Sequence, residues 1–303
     1  MRRCAAFTLM PGPTARSMPD FDRVHPFLFE HLDIRGAIVC LEDAWQSLRS
    51  GRDYPLPVAN LLGEMSAVTT LIAANLKQAG RMTFQLRGAG PVNRLVLDCD
   101  ERLRLRGMAH WQADSIQGQR CVPELLGHGQ LALTLDTADM RVPYQSLVPL
   151  TGDSVADIFE HYLAQSEQLP TRLLLAADAQ RAAGLFLQKL PNADARDPDG
   201  WNRVEHLLAT WRPEEMLALE PLQLLRRLFL EEDIRVFAAR PVSHHCPEDR
   251  EKVRDLLHGL GRAECDALLH EKGEILIRDD LCNRDYRFTP DEVAALFAST
   301  TLH

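Results

Sequence analysis

Four side chains near the C-terminal end fall into two short pairs. His244 and Cys246 are separated by one residue and Asp279 and Cys282 by two, with residues 247–278 between the pairs. Each pair sets a thiol and a second metal-ligating group a short turn apart. Two such corners folded together would form a four-ligand cage of the kind Zn²⁺ occupies. Thiolates that hold a metal are also thiols that an oxidant attacks, so Cys246 and Cys282 are equally candidates for redox chemistry. Cys246 precedes Pro247-Glu248-Asp249, which reads as an N-cap, a proline at N1 and an acidic first turn. A thiol at such a cap would have its thiolate favoured by the helix dipole. Neither corner holds a full cysteine pair, so spacing alone leaves a metal cage, a redox pair and a plain apolar module open. His245, His258, His270 and Asp280 are competing ligands. Cys265 is a competing partner thiol, with a half-buried helix position as its plainer reading.

The residues around the corners must position them. Val253, Leu256, Leu257 and Leu260 recur at helical spacing after Cys246, and Gly259 or Gly261 stops that helix. A second helix carries Cys265, Leu268 and Leu269. Gly273 turns the chain into a strand over 274–278, the Asp279–Cys282 corner follows, and a short return passes through Tyr286 and Phe288. Thr289-Pro290-Asp291-Glu292 is a capping box that opens a last helix. Together these make a small module over 241–303.

Upstream, residues 20–191 read as an α+β body. Two strands around a polar turn are expected over 27–41. A helix over 56–78 carries Leu61, Leu62, Met65, Val68, Ile72 and Leu76 on a broad apolar surface and ends at Gly80. Alternating runs predict strands at 82–86, 92–99, 103–111, 130–136 and 144–150, then 173–177 and 184–188, with an amphipathic helix over 154–168 between the two groups. Residues 192–200 are a polar loop, and short helices at 201–211, 213–219 and 221–231 complete a linker over 192–240. These helices are apolar enough to need a partner surface. Residues 1–19 read as a disordered leader, with Met18 an alternative start.

Composition narrows the function. Of 303 residues, 46% are hydrophobic and 25% charged, the balance of a globular chain, and the net charge of −9 argues against a nucleic-acid or anionic-membrane surface. The longest mostly apolar stretch, 65–76, is about half a membrane span. Seven cysteines at 4, 40, 99, 121, 246, 265 and 282 form no secreted disulfide framework, which points to a reducing cytoplasm. Catalytic patterns are missing. His161, Ser166 and Glu167 crowd one helix end instead of converging from separate elements, and Gly88-x-Gly90 and Gly127-x-Gly129 lack the longer pattern of a phosphate loop. The absence of a Cys-x-x-Cys counts against a thiol-disulfide enzyme.

A set of stretches in fixed order then carries a resemblance. They are Leu61-Leu62-Gly63-Glu64, Leu76-Lys77-Gln78-Ala79-Gly80-Arg81, Gln85-Leu86-Arg87-Gly88-Ala89-Gly90-Pro91, Arg106-Gly107-Met108-Ala109, Gln165-Ser166-Glu167-Gln168, Arg227-Leu228-Phe229-Leu230-Glu231-Glu232 and Cys282-Asn283-Arg284-Asp285-Tyr286. Over roughly residues 20 to 298 the chain resembles the heat-shock protein 33 family of redox-regulated holdase chaperones. The resemblance implies an α+β body, a helical linker and a C-terminal zinc switch. It implies no enzymatic activity, binding of unfolding client proteins without ATP, and a homodimer on activation. In that family a Cys-x-Cys and a Cys-x-x-Cys bind one Zn²⁺. Oxidation forms two disulfides, releases the metal and unfolds switch and linker. This chain departs at the decisive positions, with His244 and Asp279 where the first cysteine of each pair would stand. The resemblance therefore implies His244, Cys246, Asp279 and Cys282 as a weakened zinc site and Cys246 and Cys282 as the redox-active residues. The alternative is a holdase that is constitutively active or activated by heat, with a switch that folds without metal. One thiol per corner allows at most one cross-corner disulfide, Cys246–Cys282, with Cys265 as an alternative partner.

Overall fold

A computed structural model describes residues 8–9, 20–76, 78–116, 118 and 121–298. The remaining positions of the expected leader, Cys4 among them, lie outside the described residues. The chain divides into two compact units, Met1–His244 and His245–His303.

The first unit opens with β1 (Thr8–Leu9), β2 (Arg23–Phe29) and β3 (Ile34–Leu41), then α1 (Asp43–Arg49) and α2 (Leu56–Asn75). An antiparallel run of β4 (Gly80–Gly88), β5 (Val92–Cys99) and β6 (Arg104–Trp111) leads through α3 (Val122–Leu126) to β7 (Gly129–Thr137) and β8 (Tyr144–Val148). The chain continues through α4 (Val155–Ser166), β9 (Thr171–Ala177) and β10 (Ala182–Lys189). Four short helices follow, α5 (Ala193–Arg196), α6 (Gly200–Leu208), α7 (Pro213–Ala218) and α8 (Pro221–Leu228), and then β11 (Ile234–Val236), β12 (Arg240–Pro241) and β13 (Ser243–His244).

Two sheets result. One has the order β1-β11-β2-β3-β10-β9, with β12 also on β2, and the other runs β13-β6-β5-β4-β7-β8. The mixture is the α+β class that the alternating patterns predict. Helix α2 lies in the core shared by both sheets, where Val58, Leu62, Val68 and Leu71 pack with Val39 and Leu41 of β3 and with Phe84, Leu95 and Leu97 of the other sheet. Such a helix must be apolar nearly all round. Two of its hydroxyls are satisfied within the helix: Ser66 Oγ donates to the Leu62 carbonyl at 2.7 Å and Thr70 Oγ1 to that of Ser66 at 2.8 Å, while the buried Thr69 Oγ1 makes no hydrogen bond. Gly63 permits the approach to β9, since a Cβ there would stand 2.5 Å from Ala177 Cβ. The helix ends earlier than its apolar spacing suggests. Leu76 turns to extended backbone, Asn75 Nδ2 donates back to the Leu71 carbonyl at 2.8 Å, and Gly80 opens β4 instead of capping α2.

Strands β3 and β10 are buried on both faces. Ala37, Val39, Leu41, Ala182 and Phe186 face the α2 core. Ile34, Ile38, Cys40, Ala183, Leu185 and Leu187 face a second core, which α6–α8 complete with Trp201, Val204, Leu208, Leu224, Leu225 and Leu228. The Phe29 and Phe229 rings meet edge to face at 5.0 Å. The helices expected as a linker are thus docked on the sheet. Charged tethers hold them there: Arg172 of β9 pairs with Glu205 of α6 at 2.6 Å, and Arg181 donates to the Leu217 carbonyl of α7 at 2.7 Å.

The second unit contains α9 (Arg250–Leu260), α10 (Arg262–Lys272), a hairpin of β14 (Ile275–Asp279) and β15 (Arg284–Phe288), and α11 (Pro290–Ala298). Its core is small, built on Leu257, Cys265, Ile275, Tyr286, Phe288 and Val293. The expected capping box is present, with Thr289 N–H donating to Glu292 Oε2 at 3.0 Å and Glu292 N–H to Thr289 Oγ1 at 3.4 Å.

Candidate functional site

The hairpin fixes one corner. Asp279 pairs with Arg284 as the last rung of β14 and β15, so residues 280–283 form the connecting loop. Asp279 Oδ1 accepts the Cys282 N–H at 3.1 Å, closing an Asx turn that holds the cysteine at the loop. Asn283 completes the loop in the left-handed region at φ 51°, a conformation asparagine adopts more readily than most residues.

The other corner is the extended segment that enters α9. Here the helix starts later than expected: Asp249 is the N-cap, its Oδ1 accepting the Lys252 N–H at 3.0 Å. Cys246 therefore stands outside the helix, and the dipole argument for its thiolate does not apply. A local carboxylate acceptor, better matched to a free N–H than a sulfur, decides the start. The segment is fastened to β15, with Asp249 N–H donating to the Tyr286 hydroxyl at 3.1 Å and Arg284 Nη2 to the Cys246 carbonyl at 3.2 Å.

These fastenings bring Cys246 and Cys282 together, and the two are joined by a disulfide with Cα atoms 5.5 Å apart. Both cysteines are half-buried. The other residues of the expected site are placed differently. Asp279 stays beside Cys282 as a turn acceptor. His244 closes the first unit in β13, in register with Leu105 of β6. Among the described residues no group of three or more His, Cys, Asp or Glu side chains is arranged to hold a metal ion. With both sulfurs spent on each other and one carboxylate on a backbone amide, the donor set of this form does not fit zinc.

The remaining described thiols are set apart by burial. Burial pushes Cys40 and Cys99 up to about 12. Cys265, fully buried on α10, has its Sγ 3.7 Å from the Leu257 carbonyl and a pKa raised first by burial and then by Asp266 and Glu264. Cys121 is half-buried at the N-cap of α3. Sequence reasoning missed the fastening residues Arg284, Tyr286 and Asp249. Their partners lie more than thirty positions away, and no local spacing signals them.

Comparison with known proteins agrees with this architecture. The family model described as Hsp33 protein matches residues 22–289. The 33 kDa chaperonin of Methylobacillus flagellatus is 40% identical over 280 residues, covering 92% of this chain and 95% of that protein. That of Pseudomonas aeruginosa is 39% identical over 286 residues, covering 93% and 96%. The crystal structure of the 33 kDa chaperonin from Thermotoga maritima shares the fold, with a TM-score of 0.78 at 21% identity over 92% of this chain and 98% of that one. With the Hsp33 model matching most of the chain and a 33 kDa chaperonin 40% identical over 92% of it, this chain belongs to the Hsp33 family and has a chaperone function.

Proposed function

We propose that the protein is an ATP-independent holdase that binds unfolding clients on apolar surface kept covered at rest. The observation that carries this reading is the second core of the first unit. Phe27, Phe29, Ile34, Ile38, Leu185 and Leu187 make an apolar sheet face whose cover is three short helices, α6–α8. Each helix is below the length at which an isolated helix persists in water, so their order depends on docking. Release of α6–α8 would uncover both the sheet face and their own apolar sides, a surface suited to unfolded chains of many sequences. Redox gating is the finer part of the proposal, with Cys246 and Cys282 as the responding pair in a cytoplasmic protein whose other described thiols stay buried or half-buried. Stability of the small C-terminal unit would then set how readily the chain opens. Metal has no step in this scheme.

The test is light scattering from a heat-unfolding client without ATP, with the chain in both redox states. Suppression in at least one state at near-stoichiometric ratio is expected. Full client aggregation in both would remove the holdase reading.

A further inference from the structure

In the family pattern oxidation makes a disulfide inside each cysteine-rich corner. This chain has one cysteine per corner, and the bond observed runs across the corners. The consequences for folding are opposite. A bond within a corner leaves the two corners free to part, whereas Cys246–Cys282 ties the entry of α9 to the β14–β15 loop. With the bond in place the hairpin register is complete from Ile275–Phe288 to Asp279–Arg284, and Tyr286 and Phe288 stay in the core. The oxidised unit is therefore a folded unit. Without the bond, the same corners are held by the Asp249–Tyr286 and Arg284–Cys246 hydrogen bonds and a core of six buried side chains.

We infer that redox control of this C-terminal unit is reversed: forming Cys246–Cys282 closes the unit, and reducing it lets the unit open. The chemistry needs only a peroxide and a dithiol. One thiolate attacks the peroxide O–O bond, giving a sulfenic acid and, after protonation, water. The second thiolate displaces hydroxide from that sulfur, so two thiols and one hydrogen peroxide give one disulfide and two waters. A dithiol reverses the step by two exchanges, supplying the two electrons that return Cys246 and Cys282 to thiols and leaving as its own disulfide. Cys265 is kept out of the exchange by its full burial in the core. The meaning of closure for clients rests on the holdase reading above; the closure itself does not.

The experiment is amide hydrogen exchange on the full chain, peroxide-oxidised and dithiothreitol-reduced, with Cys246→Ser and Cys282→Ser alongside. In the oxidised protein, amides of 250–298 should exchange about 10²- to 10³-fold more slowly than in the reduced protein, the effect expected of a cross-link closing a loop of this length. Both variants should match the reduced protein in either condition, and peptide mapping should recover Cys246 bonded to Cys282. Equal or faster exchange after oxidation, or a bond to Cys265 instead, overturns the inference. Client aggregation followed on the same samples bears on the holdase reading alone, so absence of suppression would leave the exchange result standing.

Discussion

Glu64 lies on the nearly all-apolar helix α2, and burial pushes its carboxyl up to about 7. Because the folded pKa is raised, the neutral form is the one that folding favours. Its contribution is complete below about 4.5 and is lost as pH climbs to about 7. Glu64→Gln should leave stability unchanged at pH 4.5 and raise it by about 2 kcal/mol at pH 8, as urea unfolding would show. An equal effect at both pH values would mean that the carboxyl is solvated in the native state. The cysteines divide on the same physical ground. Alkylation of the reduced native protein should modify Cys246, Cys282 and the half-buried Cys121 well before Cys40, Cys99 or Cys265. Zinc analysis of the oxidised protein should give well below one ion per chain, because both sulfurs are then bonded to each other. Stoichiometric zinc that His244→Ala and Asp279→Ala release would contradict that. At this scale the sequence made the pair visible by spacing, yet misplaced the helix cap. Asp249 and Cys246 both precede the apolar run, and only the Lys252 amide reveals which one closes the turn.

The covering helices and the disulfide clip are element-scale devices. Leu225 of α8 is fully buried against the sheet face. Leu225→Ala should cost about 2–5 kcal/mol of docking, enough to raise exchange at 200–228 and client protection together. Unchanged exchange there would show that the helices are not the mobile cover. The clip closes a separation of 36 residues, worth about 4 kcal/mol of unfolded-chain entropy, which rivals the whole stability of a unit with so small a core. Element existence was plain in the sequence wherever a period was sustained, as in β2–β7 and α4. Element ends were not. Leu76 is as apolar as the residues of α2, and its extended backbone follows from the turn into β4. The docking face of α6–α8 was also hidden. Trp201 and Leu225 announce a need for burial, but β3 and β10 carry continuous apolar runs that hide which face receives them.

For the whole molecule, the α+β class was legible in the alternating patterns. The division of labour was less so, because the helices fold with the body and the chain separates only after His244. On the proposed holdase reading, client capture joins all scales: the buried sheet residues would serve it only once the elements above them leave. Hydrogen exchange of the full chain with and without a captured, heat-unfolded client measures this directly. Amides of α6–α8 should lose protection in the client-bound state while those of β3 and β10 keep theirs. Native protection of α6–α8 throughout, with client firmly held, would contradict it.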